Sequence, residues 1–119
     1  MRINIKTVGT DLTQAIKLYT TDKLTPLAKL LDESKGEAML DVELDRTTAH
    51  HNKGDIYRVK LNLRAGRISL RAEDEGSDMY AVIDLVRDEI SREIKATKTR
   101  KESLFRRGAR TIKKILKGN

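Results

Sequence analysis

Eleven lysines and arginines fall between Arg92 and Lys117: Arg92, Lys95, Lys98, Arg100, Lys101, Arg106, Arg107, Arg110, Lys113, Lys114 and Lys117. Cations at this density suit a polyanion, because each one that meets a phosphate releases a condensed counterion and so drives association. The excess is local. Residues 1–85 hold thirteen basic and fourteen acidic groups, whereas residues 86–119 hold twelve and four, so the net +7 of the 119-residue chain resides in its last third. That distribution points to nucleic acid or an anionic membrane surface as partner. The bland alternative is a basic tail that only solvates the chain.

Other chemistry-bearing groups are poorly spaced for catalysis. Asp41, Glu43 and Asp45 alternate along one strand-like stretch, opposite a second that presents Arg58, Lys60 and Arg64, so cross-strand ion pairs account for them. Glu73, Asp74 and Glu75 precede a helix, whose N-terminus favours anions. His50 and His51 are adjacent in a polar loop, a spacing that does not bring both rings to one metal, and the chain has no cysteine. No glycine-rich phosphate loop and no nucleophile elbow occurs. The expectation is a protein with no catalytic residues, no metal and no cofactor.

The elements that must position the cations follow from periodicity. Arg2 to Val8 alternates, with Ile3, Ile5 and Val8 as apolar members of a strand. Thr13 caps an amphipathic helix through Ile16, Tyr19, Thr20 and Leu24, and Pro26 restarts a short helix through Leu27, Leu30 and Leu31. Ala38 to Arg46 and Ile56 to Arg64 are half-buried strands. An Ala65-Gly66 hairpin connection leads into a third stretch with Ile68, Leu70 and Ala72 inward. From Ser77 or Asp78 the period becomes 3.6, and Met79, Val82, Ile83, Val86, Ile90 and Ile94 form one stripe of a helix reaching about residue 100. Asp88, Arg92, Lys95 and Thr99 lie on its opposite face, with Asp88 able to pair Arg92. A weaker helical pattern follows, in which Leu104, Phe105, Ile112, Ile115 and Leu116 alternate with cations around Gly108.

The order β-α-β-β-β-α predicts an α+β fold, with a four-stranded sheet and two helices packed on one face. Its core pairs Ile3, Ile5, Leu40, Val42, Val59, Leu61, Ile68 and Leu70 with Ile16, Leu24, Val82, Ile83, Val86 and Ile90. The expected units are a domain over residues 1–101 and a basic C-terminal tail over 102–119. Apolar runs fall short of the roughly 20 residues that cross a bilayer, and MRINIKTVGT lacks the apolar run of a secretory signal. A cytoplasmic location is expected.

The stretch from Ile56 to Lys101 resembles the ribosome hibernation-promoting factor family, also known as ribosome-associated inhibitor or sigma-54 modulation proteins. Asp78, Met79, Tyr80, Ala81, Ile83 and Asp84 match its Asp-Met-Tyr and Ala-x-Ile-Asp hallmark, Arg92, Lys98 and Arg100 its basic helix end, and Thr13, Ala15, Ile16, Lys23 and Leu24 its first helix. The resemblance covers about residues 1–101 and implies a non-enzymatic domain on the small (30S) ribosomal subunit. It would lie between head and platform, along the tRNA and mRNA channel, blocking translation by occupancy. The implied partners are the 30S subunit, its 16S rRNA and the 70S ribosome, with no membrane. The expected RNA contacts are Arg92, Lys98 and Arg100, which the resemblance matches, together with Lys95, Lys101, Arg106, Arg107 and Arg110, which the charge pattern adds. Glu89 and Ala96 stand where the family often has Lys, so Lys95 or the tail would substitute there. The chain resembles a short form without the dimerisation domain of long members. Two other readings stay open: a general basic RNA-binding protein, and one that uses Leu104 to Leu116 as an amphipathic anchor on anionic membrane.

Overall fold

The computed structural model describes residues 1–34, 36–48 and 54–116, with side chains described as far as Arg100. His50 and His51 lie outside the described residues, as do the side chains of Lys101, Arg106, Arg107 and Arg110. Four strands, β1 (Arg2–Val8), β2 (Met39–Thr48), β3 (Asp55–Ala65) and β4 (Ile68–Gly76), form one sheet in the order β1-β2-β3-β4. β1 runs parallel to β2, and the other pairs are antiparallel. Helix α1 (Gln14–Leu24) connects the parallel pair, and helix α2 (Met79–Leu116) follows β4. The predicted β-α-β-β-β-α order is the observed one.

Each helix starts where a side chain replaces the missing acceptor. The Thr13 hydroxyl accepts from the Ile16 amide at 3.1 Å, and the Asp78 carboxylate accepts from the Tyr80 amide at 3.1 Å. Pro26 cannot donate in a continuing helix, so the chain passes into a 3-10 segment, Thr25–Leu30, with the proline in its first turn. The apolar faces then meet in one cluster. Leu40, Val42 and Leu44 of β2, Val59, Leu61 and Leu63 of β3, and Val82, Ile83, Val86, Ile90 and Ile94 of α2 are all buried in it. Ile3, Ile5, Ile16 and Leu70 pack against it half-buried, as an edge strand, a short helix and a second edge must.

Four local expectations are corrected. Val8 is 47% exposed, because the inward phase of β1 passes through Ile3, Ile5 and Thr7 and leaves Val8 on the other side. The β3–β4 turn is Gly66-Arg67 rather than Ala65-Gly66: Ala65 pairs with Ile68, and Gly66 takes φ +61°, which glycine adopts without Cβ strain. Glu73, Asp74 and Glu75 belong to β4 and not to the helix N-terminus. Helix α2 runs on to Leu116 instead of ending near residue 100.

Gly9, which follows β1, also has positive φ, at +71°, and a methyl group there would run into the Arg46 carbonyl oxygen. Gly9→Ala should therefore destabilise the fold by about 2 kcal/mol or more, from backbone strain and displacement of β2. A denaturant midpoint equal to wild type would contradict that close approach.

Candidate nucleic-acid interface

The two charged surfaces of the molecule differ in how their cations are partnered. On the open face of the sheet Arg58, Lys60 and Arg64 each face acids. Lys60 lies 3.3 Å from Glu43 and 3.9 Å from Asp45, Arg64 lies 3.6 Å from Asp41, and Arg58 lies 3.1 Å from Glu75 and 3.5 Å from Glu73. The expected cross-strand pairing is present, with Arg58 turned toward β4. That contact, rather than a helix dipole, accounts for Glu73 and Glu75. Burial first, and then a hydrogen bond to Glu43, pushes the Asp45 carboxyl up, while Glu43 is held down by accepting from Asp45 and Lys60. The centre of this face is thus laced with ion pairs.

Helix α2 presents the opposite arrangement. Its apolar stripe is buried against the sheet, so Arg92, Lys95, Lys98 and Arg100 are left exposed, and none forms an ion pair with a described residue. Asp88 does not pair with Arg92 as expected; it accepts from Arg87 at 2.8 Å. Glu89, one turn before Arg92 in sequence order along the helix, engages β4: burial and a hydrogen bond shared with Asp74 push its carboxyl up. Arg92 lies in the field of Glu89, whereas Lys95, Lys98 and Arg100 keep an exposed positive charge, which is what phosphate binding requires.

The hallmark residues have separate tasks. Asp78 caps α2, while Met79 and Ile83 are buried in the core. Tyr80 and Asp84 join α2 to α1: the Tyr19 hydroxyl donates to Asp84 at 2.8 Å, Lys23 sits 3.6 Å from the same carboxylate, and the Tyr19 and Tyr80 rings meet edge to face at 4.8 Å. The Lys23 ammonium also lies 5.4 Å from the Tyr19 ring centre. Donating to the Asp84 carboxylate raises the Tyr19 phenol above its ordinary value, which keeps it a donor. Sequence reasoning placed Tyr19 in an apolar stripe and missed this clamp. Its signal was the matching four-residue spacing of Tyr19 with Lys23 and of Tyr80 with Asp84.

Fold and surface together define a small α+β domain whose long C-terminal helix carries an exposed cationic row. Residues 3–102 match the family described as Sigma 54 modulation protein / S30EA ribosomal protein, and the chain belongs to that family. It is 34% identical over 100 residues to a ribosome hibernation promotion factor of Lactococcus lactis, an alignment covering 84% of this chain and 51% of the relative. A ribosome hibernation promotion factor of Deinococcus radiodurans is 32% identical over 91 residues, 76% of this chain and 45% of the relative. The chain thus spans about half the length of the curated relatives it matches. The crystal structure of the Thermus thermophilus Protein Y N-terminal domain superposes with a TM-score of 0.67 at 28% identity, covering 82% of this chain and 99% of that one. A ribosomal subunit interface protein from Coxiella burnetii shares the fold, with a TM-score of 0.65 at 19% identity, covering 83% of this chain and 99% of that one. The family is one of ribosome-associated proteins of translation control rather than enzymes.

Proposed function

We infer that this protein binds the small ribosomal subunit through the outer face of α2, occupies the tRNA and mRNA channel, and blocks translation there without chemistry, protecting idle ribosomes in the cytoplasm. One observation carries the reading: Lys95, Lys98 and Arg100 of α2 are exposed with no ion pair among the described residues, while Arg58, Lys60 and Arg64 at the centre of the sheet are paired. A surface kept charged in this way is suited to 16S rRNA phosphates. Arg92, Lys95, Lys98 and Arg100 form the part whose side chains are described, and Lys101, Arg106, Arg107 and Arg110 extend it along the sequence. The names of the relatives, which refer to ribosome hibernation and to the ribosomal subunit interface, support the choice of partner. Among the described residues no helix is long and apolar enough to cross a membrane.

Co-sedimentation with purified 30S particles, 50S particles and anionic liposomes tests the reading. Binding to 30S that weakens steeply with salt is the expected result, and preferential capture by liposomes would overturn it. The same assay assigns the tail. Deleting residues 102–119 should leave the folded domain intact while lowering 30S affinity and flattening the salt dependence, because phosphate contacts are removed. An unchanged affinity and slope would withdraw the tail as an RNA contact.

A further inference from the structure

Strand β4 ends the sheet: it pairs with β3 on one side, and no described strand pairs with it on the other. Ala65 and Ile68 close the two-residue turn that leads into it. In such a hairpin the closing pair exchanges both hydrogen bonds, and every second pair repeats the exchange. The amides and carbonyls of Ser69, Arg71, Glu73 and Glu75 therefore point away from β3, along the open edge. The side chains of these four residues are exposed on the outer face of the sheet.

Charged side chains on an edge ordinarily discourage pairing. Here their order is self-complementary. When a second β4 is laid antiparallel so that all nine residues overlap, Ile68 of one copy stands against Gly76 of the other. Arg71 then faces Glu73 of the partner copy, twice over, Ser69 faces Glu75, and Ala72 meets its counterpart on the two-fold axis. Outward-pointing backbone groups meet outward-pointing groups in this register. A slip of two residues in either direction would set Arg71 on Arg71 or Glu73 on Glu73. The charges also lack full compensation within one chain. Glu73 and Glu75 share the single guanidinium of Arg58, whereas Arg71 stands opposite Asn62 and forms no ion pair with a described residue. Strand β1, at the other edge, carries Arg2 and Lys6 and no acid, so a second β1 would meet it with like charge.

The helices fit the same arrangement. Strands lie about 4.8 Å apart, and α2 packs on β3 and β4, so the two copies of α2 would come about 10 Å from each other, which is helix-packing distance. Helix α2 passes from the Gly76 end of β4 to the Ile68 end, where Ile94 sits. The paired helices therefore run antiparallel, and their cationic ends leave in opposite directions.

We propose that a second copy of this chain adds its β4 antiparallel to β4 along this edge, joining the two sheets into one of eight strands. The pairing is independent of the RNA-binding reading, because the outer face of α2 stays exposed.

Sedimentation equilibrium of the purified chain over roughly 1–500 μM, the range suited to a small interface, is the test. Wild-type protein should shift from monomer toward dimer mass as concentration rises. Arg71→Glu and Glu73→Arg should each weaken self-association at least about tenfold, because two attractive pairs become two like-charge pairs. Both substitutions in one chain should restore the dimer. An equimolar mixture of the two single variants should also recover it as a mixed dimer, since each supplies the charge the other lacks. Arg71→Glu, opposite Asn62, should fold normally. If Glu73→Arg proves unfolded by thermal melt through loss of its contact with Arg58, the contrast of Arg71→Lys, which should keep the dimer, with Arg71→Glu, which should not, still decides. Wild-type protein that stays monomeric throughout would overturn the pairing. Dimers that persist in the single variants, or a folded double variant that stays monomeric, would overturn this edge and register.

Discussion

Replacing Arg92 and Lys95 by Glu should lower affinity for 30S particles at least tenfold near physiological salt and reduce the slope of log K against log salt by roughly two. Each cation lost removes one counterion-releasing contact, and each new carboxylate repels the phosphate left behind. The matched reversal of Arg58 and Lys60 should change affinity far less, because those cations are held by Glu43, Asp45, Glu73 and Glu75 on the opposite face of the sheet. That second variant places like charges on neighbouring strands and should lose stability. Thermal melts must therefore accompany the binding curves. Equal losses from the two pairs would show that the wrong face has been assigned.

Leu61→Ala should destabilise the domain by about 2–5 kcal/mol, and Val86→Ala should also cost a few kcal/mol, because both truncations leave a cavity where sheet and helix meet. Leu61 lies between Val42 on β2 and Ala72 on β4 and is 1% exposed, while Val86 on the apolar stripe of α2 is fully buried. Loss of either loosens the seat of the helix that carries the cations, so stability and binding should fall together. Leu18→Ala is the control: its side chain is 55% exposed, and the change should stay within about 0.5 kcal/mol. Unaltered denaturant midpoints for Leu61→Ala and Val86→Ala would refute this core.

Much of this architecture was legible in the sequence because its signals are redundant. The strand alternation of Leu40, Val42 and Leu44 and of Val59, Leu61 and Leu63, and the helical stripe from Met79 to Ile94, each repeat often enough to fix phase, and each turned out to face the core. Where one residue had to decide, the outcome depended on tertiary geometry. Val8 follows Thr7, which holds the last inward position of β1, so an apolar residue at the strand end is left outside. Arg87 and Arg92 compete for Asp88, and Arg87 wins at 2.8 Å. Glu73 and Glu75 pair with Arg58 because β4 lies beside β3 in a register that periodicity alone does not give. The cationic row was visible as composition, and the lack of ion pairs at Lys95, Lys98 and Arg100 became visible only once the fold had placed the acids. The Tyr19–Asp84 clamp joins segments distant in sequence, and no local pattern announces such a meeting.

The central claim, occupancy of the channel on the small subunit, is tested most directly by competition. Purified 30S particles would be offered the protein either vacant or already programmed with mRNA and tRNA, and bound protein would be measured after gradient centrifugation. Vacant particles should retain it and programmed ones should exclude it, with tRNA and mRNA displacing it in proportion to their own occupancy. Equal binding to vacant and programmed particles would place the protein elsewhere on the subunit and contradict the account.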